Sequence, residues 1–143
     1  MSSDQLSLRN QLSFALYGAA NRLARLHKPF LEPLGLTFPQ YLVMLELLTG
    51  GPRSVGELGA RLEMETGTLT PILKRLQAVG MVTRTRDPQD ERRVLVDLTA
   101  ASRDIESKIL GVSAQIVSAC GIRKDEAARI RRLLEALASP DED

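Results

Sequence analysis

The chain has 143 residues, of which 43% are hydrophobic, 26% charged and 3% aromatic, and its formal net charge is +1. That is the size of one domain able to bury a real core, and its aliphatic, tryptophan-free composition suits a soluble helical protein rather than a multidomain machine. Met1 to Asn10 lacks the apolar segment of a signal peptide, no apolar run approaches the ~18 residues of a membrane span, and one cysteine, Cys120, makes neither an intramolecular disulfide nor a metal cage. A reducing cytoplasmic setting with no membrane partner is expected.

The charge is unevenly spread. From Thr66 to Arg86 the basic residues are Lys74, Arg75, Arg84 and Arg86, with no acid among them, whereas the chain finishes in Pro140-Asp141-Glu142-Asp143. Such a basic segment is either a solvated helix face or an electrostatic footprint for nucleic acid, and its structural context decides.

In chain order, Leu8, Leu12, Ala15, Leu16, Ala19, Leu23 and Leu26 recur at three- and four-residue spacing and predict a long helix from Leu6, ended by Pro29 and Pro33. Thr37-Phe38-Pro39-Gln40 is a capping box with proline in the first turn, opening a second helix through Leu48 that stops at Gly50-Gly51-Pro52. Ser54-Val55-Gly56-Glu57 is another capping box, before a helix of about two turns. A third start at Glu65-Thr66-Gly67-Thr68 leads into Leu69, Ile72, Leu73, Leu76 and Val79, with Gly80 as the stop. Two short capped helices joined by a tight turn form a helix-turn-helix.

Beyond Gly80 the period changes to that of strands. Met81 to Arg86 is β-prone, Val94, Val96 and Leu98 alternate with Arg93, Leu95 and Asp97, and Asp87 to Arg92 reads as a polar turn between them. Ile105, Ile109, Val112, Ile116, Val117 and Cys120 then describe one long helix, and Lys124 to Ala138 a last one with Ala127, Ile130, Leu134 and Leu137 as its stripe. The expected fold is mainly α with a small β-wing. One domain, 1–143, holds a winged helix-turn-helix over 37–98, and the helices of 4–28 and 99–138 form a layer that dimerises the protein.

A helix that enters the major groove needs small polar groups at its N-terminus and cations further along. Glu65, Thr66, Thr68, Thr70, Lys74 and Arg75 supply them, with Thr66, Thr70 and Lys74 on one face. In the wing, Arg84 and Arg86 share one side of a strand, and Arg92 sits near the tip, where a guanidinium suits a narrow minor groove; Asp90 is placed to hold it by a local ion pair. The bland reading of these arginines is a solubilising hairpin.

The residues also resemble a known family. Gln11-Leu12-Ser13-Phe14-Ala15-Leu16-Tyr17, the run Gly35 to Leu45, Thr66-Gly67-Thr68-Leu69-Thr70-Pro71 and Asp90-Glu91-Arg92 are similar to the MarR regulators, and within them to the OhrR branch that senses organic hydroperoxides. The resemblance implies a winged-helix dimer in which Thr66, Thr68, Thr70 and Arg75 contact DNA from the recognition helix and Asp90 and Arg92 form the wing-tip pair. It also implies that Ser13 stands where the branch has its peroxide-reactive cysteine, and His27 and Phe38 where it has supporting tyrosines, leaving Tyr17. A serine hydroxyl has no sulfenic-acid chemistry. Natural divergence and an engineered Cys→Ser replacement both account for Ser13. Cys120 is either a packing residue on the Ile116 and Val117 stripe or a remnant of a second redox cysteine.

The function expected is that of a homodimeric regulator, in first place a repressor, on a pseudo-palindromic double-stranded operator. Its release would follow binding of a small organic effector in a pocket of Ser13, Tyr17, His27 and Phe38. The alternative is a redox response through Cys120. No nucleophile elbow, phosphate loop or metal-ligand spacing marks an enzyme, and no cofactor is expected.

Overall fold

The computed structural model describes residues 6–139. The first residues of the expected 4–28 segment and the acidic Pro140 to Asp143 lie outside them.

Helix α1 (Leu12–Leu31) begins after a short 3-10 turn at Leu8–Asn10, so Leu6 and Leu8 precede it rather than belong to it. It also runs through Pro29, contrary to the stop expected there. Proline lacks one N–H, which leaves the Arg25 carbonyl without its helical donor, but the ladder resumes when the Glu32 N–H donates to the Lys28 carbonyl. The chain turns at Glu32–Leu34 and at Gly35, whose φ of 70° favours glycine.

Helix α2 (Phe38–Gly50) opens on the expected capping box. The Gln40 N–H donates to Thr37 Oγ1 at 3.4 Å, and the Thr37 N–H donates to Gln40 Oε1 at 3.0 Å. Strand β1 (Arg53–Ser54) follows, then helix α3 (Val55–Leu62), whose box has the Glu57 N–H on Ser54 Oγ and the Ser54 N–H on Glu57 Oε2, both at 3.1 Å. Helix α4 (Thr66–Ala78) ends at Val79, and Gly80 with φ 78° reverses the chain. Val79, expected on the apolar arc of α4, is 61% exposed, because the helical geometry has ended where its side chain begins.

Strands β2 (Val82–Asp87) and β3 (Asp90–Leu98) form the wing, with only Pro88 and Gln89 between them, a tighter tip than expected. The sheet order is β1-β3-β2, all antiparallel, with Arg53↔Val96 and Ser54↔Leu95 on one side of β3 and Val82↔Leu98 through Arg86↔Val94 on the other. The third strand is two residues long and carries no periodic signal.

The helix expected over 105–120 forms as α6 (Glu106–Cys120), and a short helix that was not expected, α5 (Ala100–Asp104), precedes it, separated from it by a break at Ile105. The break follows an anchor: Thr99 Oγ1 donates to the Gly80 carbonyl at 2.6 Å, and the buried Ser102 hydroxyl donates to the Met81 carbonyl. These bonds hold the start of α5 against the end of α4 and leave α6 a new direction. Helix α7 (Lys124–Ala138) completes the chain.

The core lies under the helix-turn-helix. Val43, Met44 and Leu47 of α2, Leu58 of α3, Leu69, Leu73 and Leu76 of α4, Val82 and Val96 of the wing, and Ile109 and Val112 of α6 are buried together. Truncating one of these leucines to alanine costs about 2–5 kcal/mol. In α1 only His27 and Leu31 are buried, and in α7 no residue is. The two terminal helices therefore carry apolar stripes that one copy of the chain does not cover.

Candidate nucleic-acid interface

The buried Leu69, Leu73 and Leu76 turn one side of α4 to the core, which directs the rest of the helix outward. Thr66, Gly67, Thr68, Pro71, Lys74 and Arg75 are exposed there. Among the described residues Lys74 and Arg75 have no acidic partner. Glu65 is the N-cap residue, but its side chain makes no cap bond, so its carboxylate stands free beside the first turn. The amides of that turn and the axial dipole favour an anion at this end.

Thr70 behaves differently from Thr66 and Thr68. Its hydroxyl donates to the Thr66 carbonyl one turn back at 2.9 Å, so toward a base edge it offers lone pairs and a methyl group. The next residue, Pro71, has no N–H for the Gly67 carbonyl, which leaves an acceptor open near the head of the helix.

The turn before α4 is tight. Glu63 adopts left-handed backbone at φ 55°, and a Cβ on Gly59 would meet the Met64 carbonyl oxygen at 2.8 Å. Glycine at 59 lets α3 approach α4 closely enough to set the helix-turn-helix angle.

In the wing the expected arginines divide by partner. Arg84 Nε donates to Gln77 Oε1 of α4 at 2.8 Å, which ties β2 to the recognition helix. Arg86 Nη1 donates to the Glu91 carbonyl at 2.7 Å across the hairpin. Arg92 Nε and Nη2 donate to Asp90 Oδ1 and Oδ2 at 3.1 and 3.4 Å. Those bonds hold the Asp90 carboxyl below its ordinary range, and the Arg92 side chain is still 91% exposed. Two further groups, absent from the expected set, support the wing root: Arg93 Nη2 donates to Glu57 Oε1 at 2.7 Å, and Glu46 of α2 receives both Arg53 of β1 and Arg61 of α3, at 3.2 and 2.9 Å. Sequence reading has no signal for such pairs, whose members lie far apart along the chain.

The helix-turn-helix part of this chain, residues 34–93, matches the sequence profile of the MarR family. The organic hydroperoxide resistance transcriptional regulator of Bacillus subtilis (strain 168) is 36% identical over 134 residues, 94% of this chain and 89% of that protein. The chain belongs to the MarR family. A further relative, the HTH-type transcriptional regulator TtmR of Methylorubrum extorquens (strain PA1), is 43% identical over 136 residues, 95% of this chain and 68% of its own. The solved structure of reduced AbfR bound to DNA matches with a TM-score of 0.79 at 31% identity, over 96% of each chain. Both named relatives are transcription regulators, not enzymes.

In this MarR-family chain the expected effector residues fall into two places. Ser13 and Tyr17 are exposed near the start of α1, Tyr17 at 68%. His27 is buried near its other end, about 20 Å from Ser13 at the helical rise of 1.5 Å per residue. His27 Nδ1 sits 2.6 Å from the Leu23 carbonyl, and its ring packs on Phe38 and Tyr41 with centroids 4.6 and 5.6 Å away. Burial raises the Tyr41 phenol above its ordinary pKa. One copy of the chain thus does not gather the four residues into a pocket. A cavity of about 750 Å³ lies instead between α1, α6 and α7, walled by Leu16, Leu23, Ile116, Cys120, Ile130 and Leu134 and edged by Arg22, Glu63, Arg131 and Glu135. Cys120 is half-buried there with a free thiol.

Proposed function

We propose that this MarR-family regulator is a repressor that binds a pseudo-palindromic operator as a homodimer and is released by a small organic effector. The observation that carries the reading is the pairing of an outward polar face on α4 with an arginine-tipped wing hydrogen-bonded to that same helix through Arg84 and Gln77. Thr66 and Thr68 read base edges, Lys74 and Arg75 neutralise phosphates, and Arg92 enters the flanking minor groove. The AbfR neighbour, which was solved on DNA, supports the same use of the fold here.

A second copy of the chain is the occupant assigned to the groove between the terminal helices. Leu8, Leu12, Phe14, Tyr17 and Leu23 at one end of the chain, and Ile130, Leu133, Leu134 and Leu137 at the other, are exposed apolar side chains, a larger patch than a soluble monomer leaves to water. Covering them with the same helices of a partner sets two α4 helices about 34 Å apart, one turn of duplex. In that assembly the start of one α1 and the His27 and Phe38 region of the other copy are the parts available to form an effector pocket. An effector that prefers a different spacing of the α4 pair shifts the population off DNA by its differential affinity.

The chain is read as a divergent member of the hydroperoxide-sensing branch, with Ser13 in place of the sensing thiol. A redox response through Cys120 is the second reading, favoured by the half-buried thiol in the cavity wall.

Fluorescence anisotropy with an inverted-repeat duplex against a scrambled duplex, at moderate salt and with the protein's mass measured in parallel, tests the proposal. One dimer per repeat, with clear preference over the scrambled sequence, is the expected result. A monomer, or equal affinity for both duplexes, contradicts it.

A further inference from the structure

The wing tip is weakly held by its own sheet. Arg86 pairs with Val94 and the next residue, Asp87, pairs with Asp90, so Glu91, Arg92 and Arg93 of β3 form a bulge with no paired residues opposite them on β2, bridged only by the Arg86 side chain on the Glu91 carbonyl. On the other side of β3, pairing with β1 stops at Ser54↔Leu95. The three residues that carry the wing's outermost cation therefore lie in the bulge of one ladder and beyond the end of the other.

A side-chain contact replaces the missing ladder. Arg93 Nη2 donates to Glu57 Oε1 at 2.7 Å, while Glu57 Oε2 accepts the Ser54 N–H that closes the α3 capping box. The same carboxylate is thus locked to the N-terminal turn of α3 and to the wing. Helix α3 packs closely at Gly59 against Met64 of the turn that leads into α4 and against Leu69 of α4 itself, so a fixed distance from α3 is also a fixed distance from α4. The two arginines have opposite fates: the Arg93 side chain is 44% exposed against Glu57, whereas that of Arg92 is 91% exposed. Arg93 is thus turned in to Glu57 and Arg92 out to solvent.

We propose that Glu57 and Arg93 form a brace that sets the wing's angle to α4, making both of them positioning residues for operator binding rather than DNA contacts. This rests on the DNA-binding reading above. The sign of one substitution separates the brace from simple electrostatics. Glu57→Gln keeps an oxygen for the Ser54 N–H, so the cap survives, and it removes a negative charge from a protein that binds a polyanion. Electrostatics alone then gives equal or tighter binding. A brace gives weaker binding, by about three-fold per wing and about ten-fold for a duplex engaging both, the scale of an exposed ion pair.

The experiment measures operator affinity across a salt series for the wild type, Glu57→Gln, Arg93→Ala and the double variant, with amide hydrogen exchange of residues 85–93 in the free protein. The expected result is a loss for Glu57→Gln with an unchanged salt slope, no further loss in the double variant over Arg93→Ala, and faster exchange at the wing in all three. Tighter or equal binding by Glu57→Gln overturns the brace, as does a drop of about one unit per wing in the salt slope for Arg93→Ala, which marks a phosphate contact. A wild type that selects no duplex overturns the regulator reading instead. In that case the exchange rates still report whether Glu57 holds the wing, and unaltered rates overturn that part too.

Discussion

The Asp90 carboxylate takes three hydrogen bonds from one residue, Arg92: its Nε at 3.1 Å, its Nη2 at 3.4 Å and its backbone N–H at 3.2 Å. A guanidinium gripped at its base keeps its outer N–H groups in a set direction. The Asp90 side chain is half-buried under a guanidinium that is itself open to solvent, so the pair orients Arg92 rather than stabilising the fold.

Two consequences are measurable. Arg92→Ala should flatten the salt dependence of operator binding by about one unit per wing, and an unchanged slope and affinity remove the tip from the contact set. The Asp90 carboxyl, followed by NMR, should titrate below its ordinary range and return toward it in Arg92→Ala. Because its folded pKa is depressed, the pair is complete above the ordinary aspartate pKa and is lost only as pH falls through the lowered value. The tip is therefore intact at neutral pH.

Gly59→Ala tests the helix-turn-helix angle. The added Cβ meets a backbone oxygen of Met64 at 2.8 Å, an atom that cannot rotate away. A loss of about 1–3 kcal/mol in denaturant unfolding is expected, along with weaker operator binding. Wild-type stability in this variant contradicts the close approach.

Ser102→Ala tests the anchor between the wing and α5. The buried hydroxyl is a donor to the Met81 carbonyl, which also receives the Thr99 N–H at 3.3 Å. Because one donor remains, the expected cost is about 1 kcal/mol, or a fall of about 3–5 °C in melting temperature. A shift within error assigns the anchor to Thr99 alone.

Much of this was legible from short spacings. The Thr37 and Ser54 capping boxes span three residues each, and Asp90 with Arg92 spans two, so the chemistry that forms them is visible in a window of four letters. What escaped notice depends on distant partners. Arg53 and Ser54 become a strand only because Val96 and Leu95 arrive beside them, and Arg93 meets a glutamate 36 residues away. Pro29 was expected to end α1, but packing of the buried Leu31 holds the helix for two residues more. The short helix α5 ahead of Ile105 starts where Thr99 and Ser102 bond back to Gly80 and Met81, just past α4, which the apolar period of 105–120 does not encode. Ser13, Tyr17, His27 and Phe38 look like one set in the sequence, yet a straight helix keeps the first pair away from the second within one chain.

Organic hydroperoxide is expected to leave operator binding nearly unchanged, since a serine at position 13 offers nothing to oxidise. Release by peroxide that disappears in Cys120→Ser would transfer sensing to the cavity between α1, α6 and α7. The readout is anisotropy before and after oxidant, with the mass of the protein recorded to detect an added oxygen.

Half-site spacing measures directly whether a dimer holds its two α4 helices one duplex turn apart. Sequences selected by the protein from a random duplex pool should contain an inverted repeat with centres about 10 base pairs apart. Inserting five base pairs between the half-sites rotates one by half a turn, and affinity should fall to that of a non-specific duplex. Selected sequences with no repeat, or full affinity after the insertion, would contradict the account.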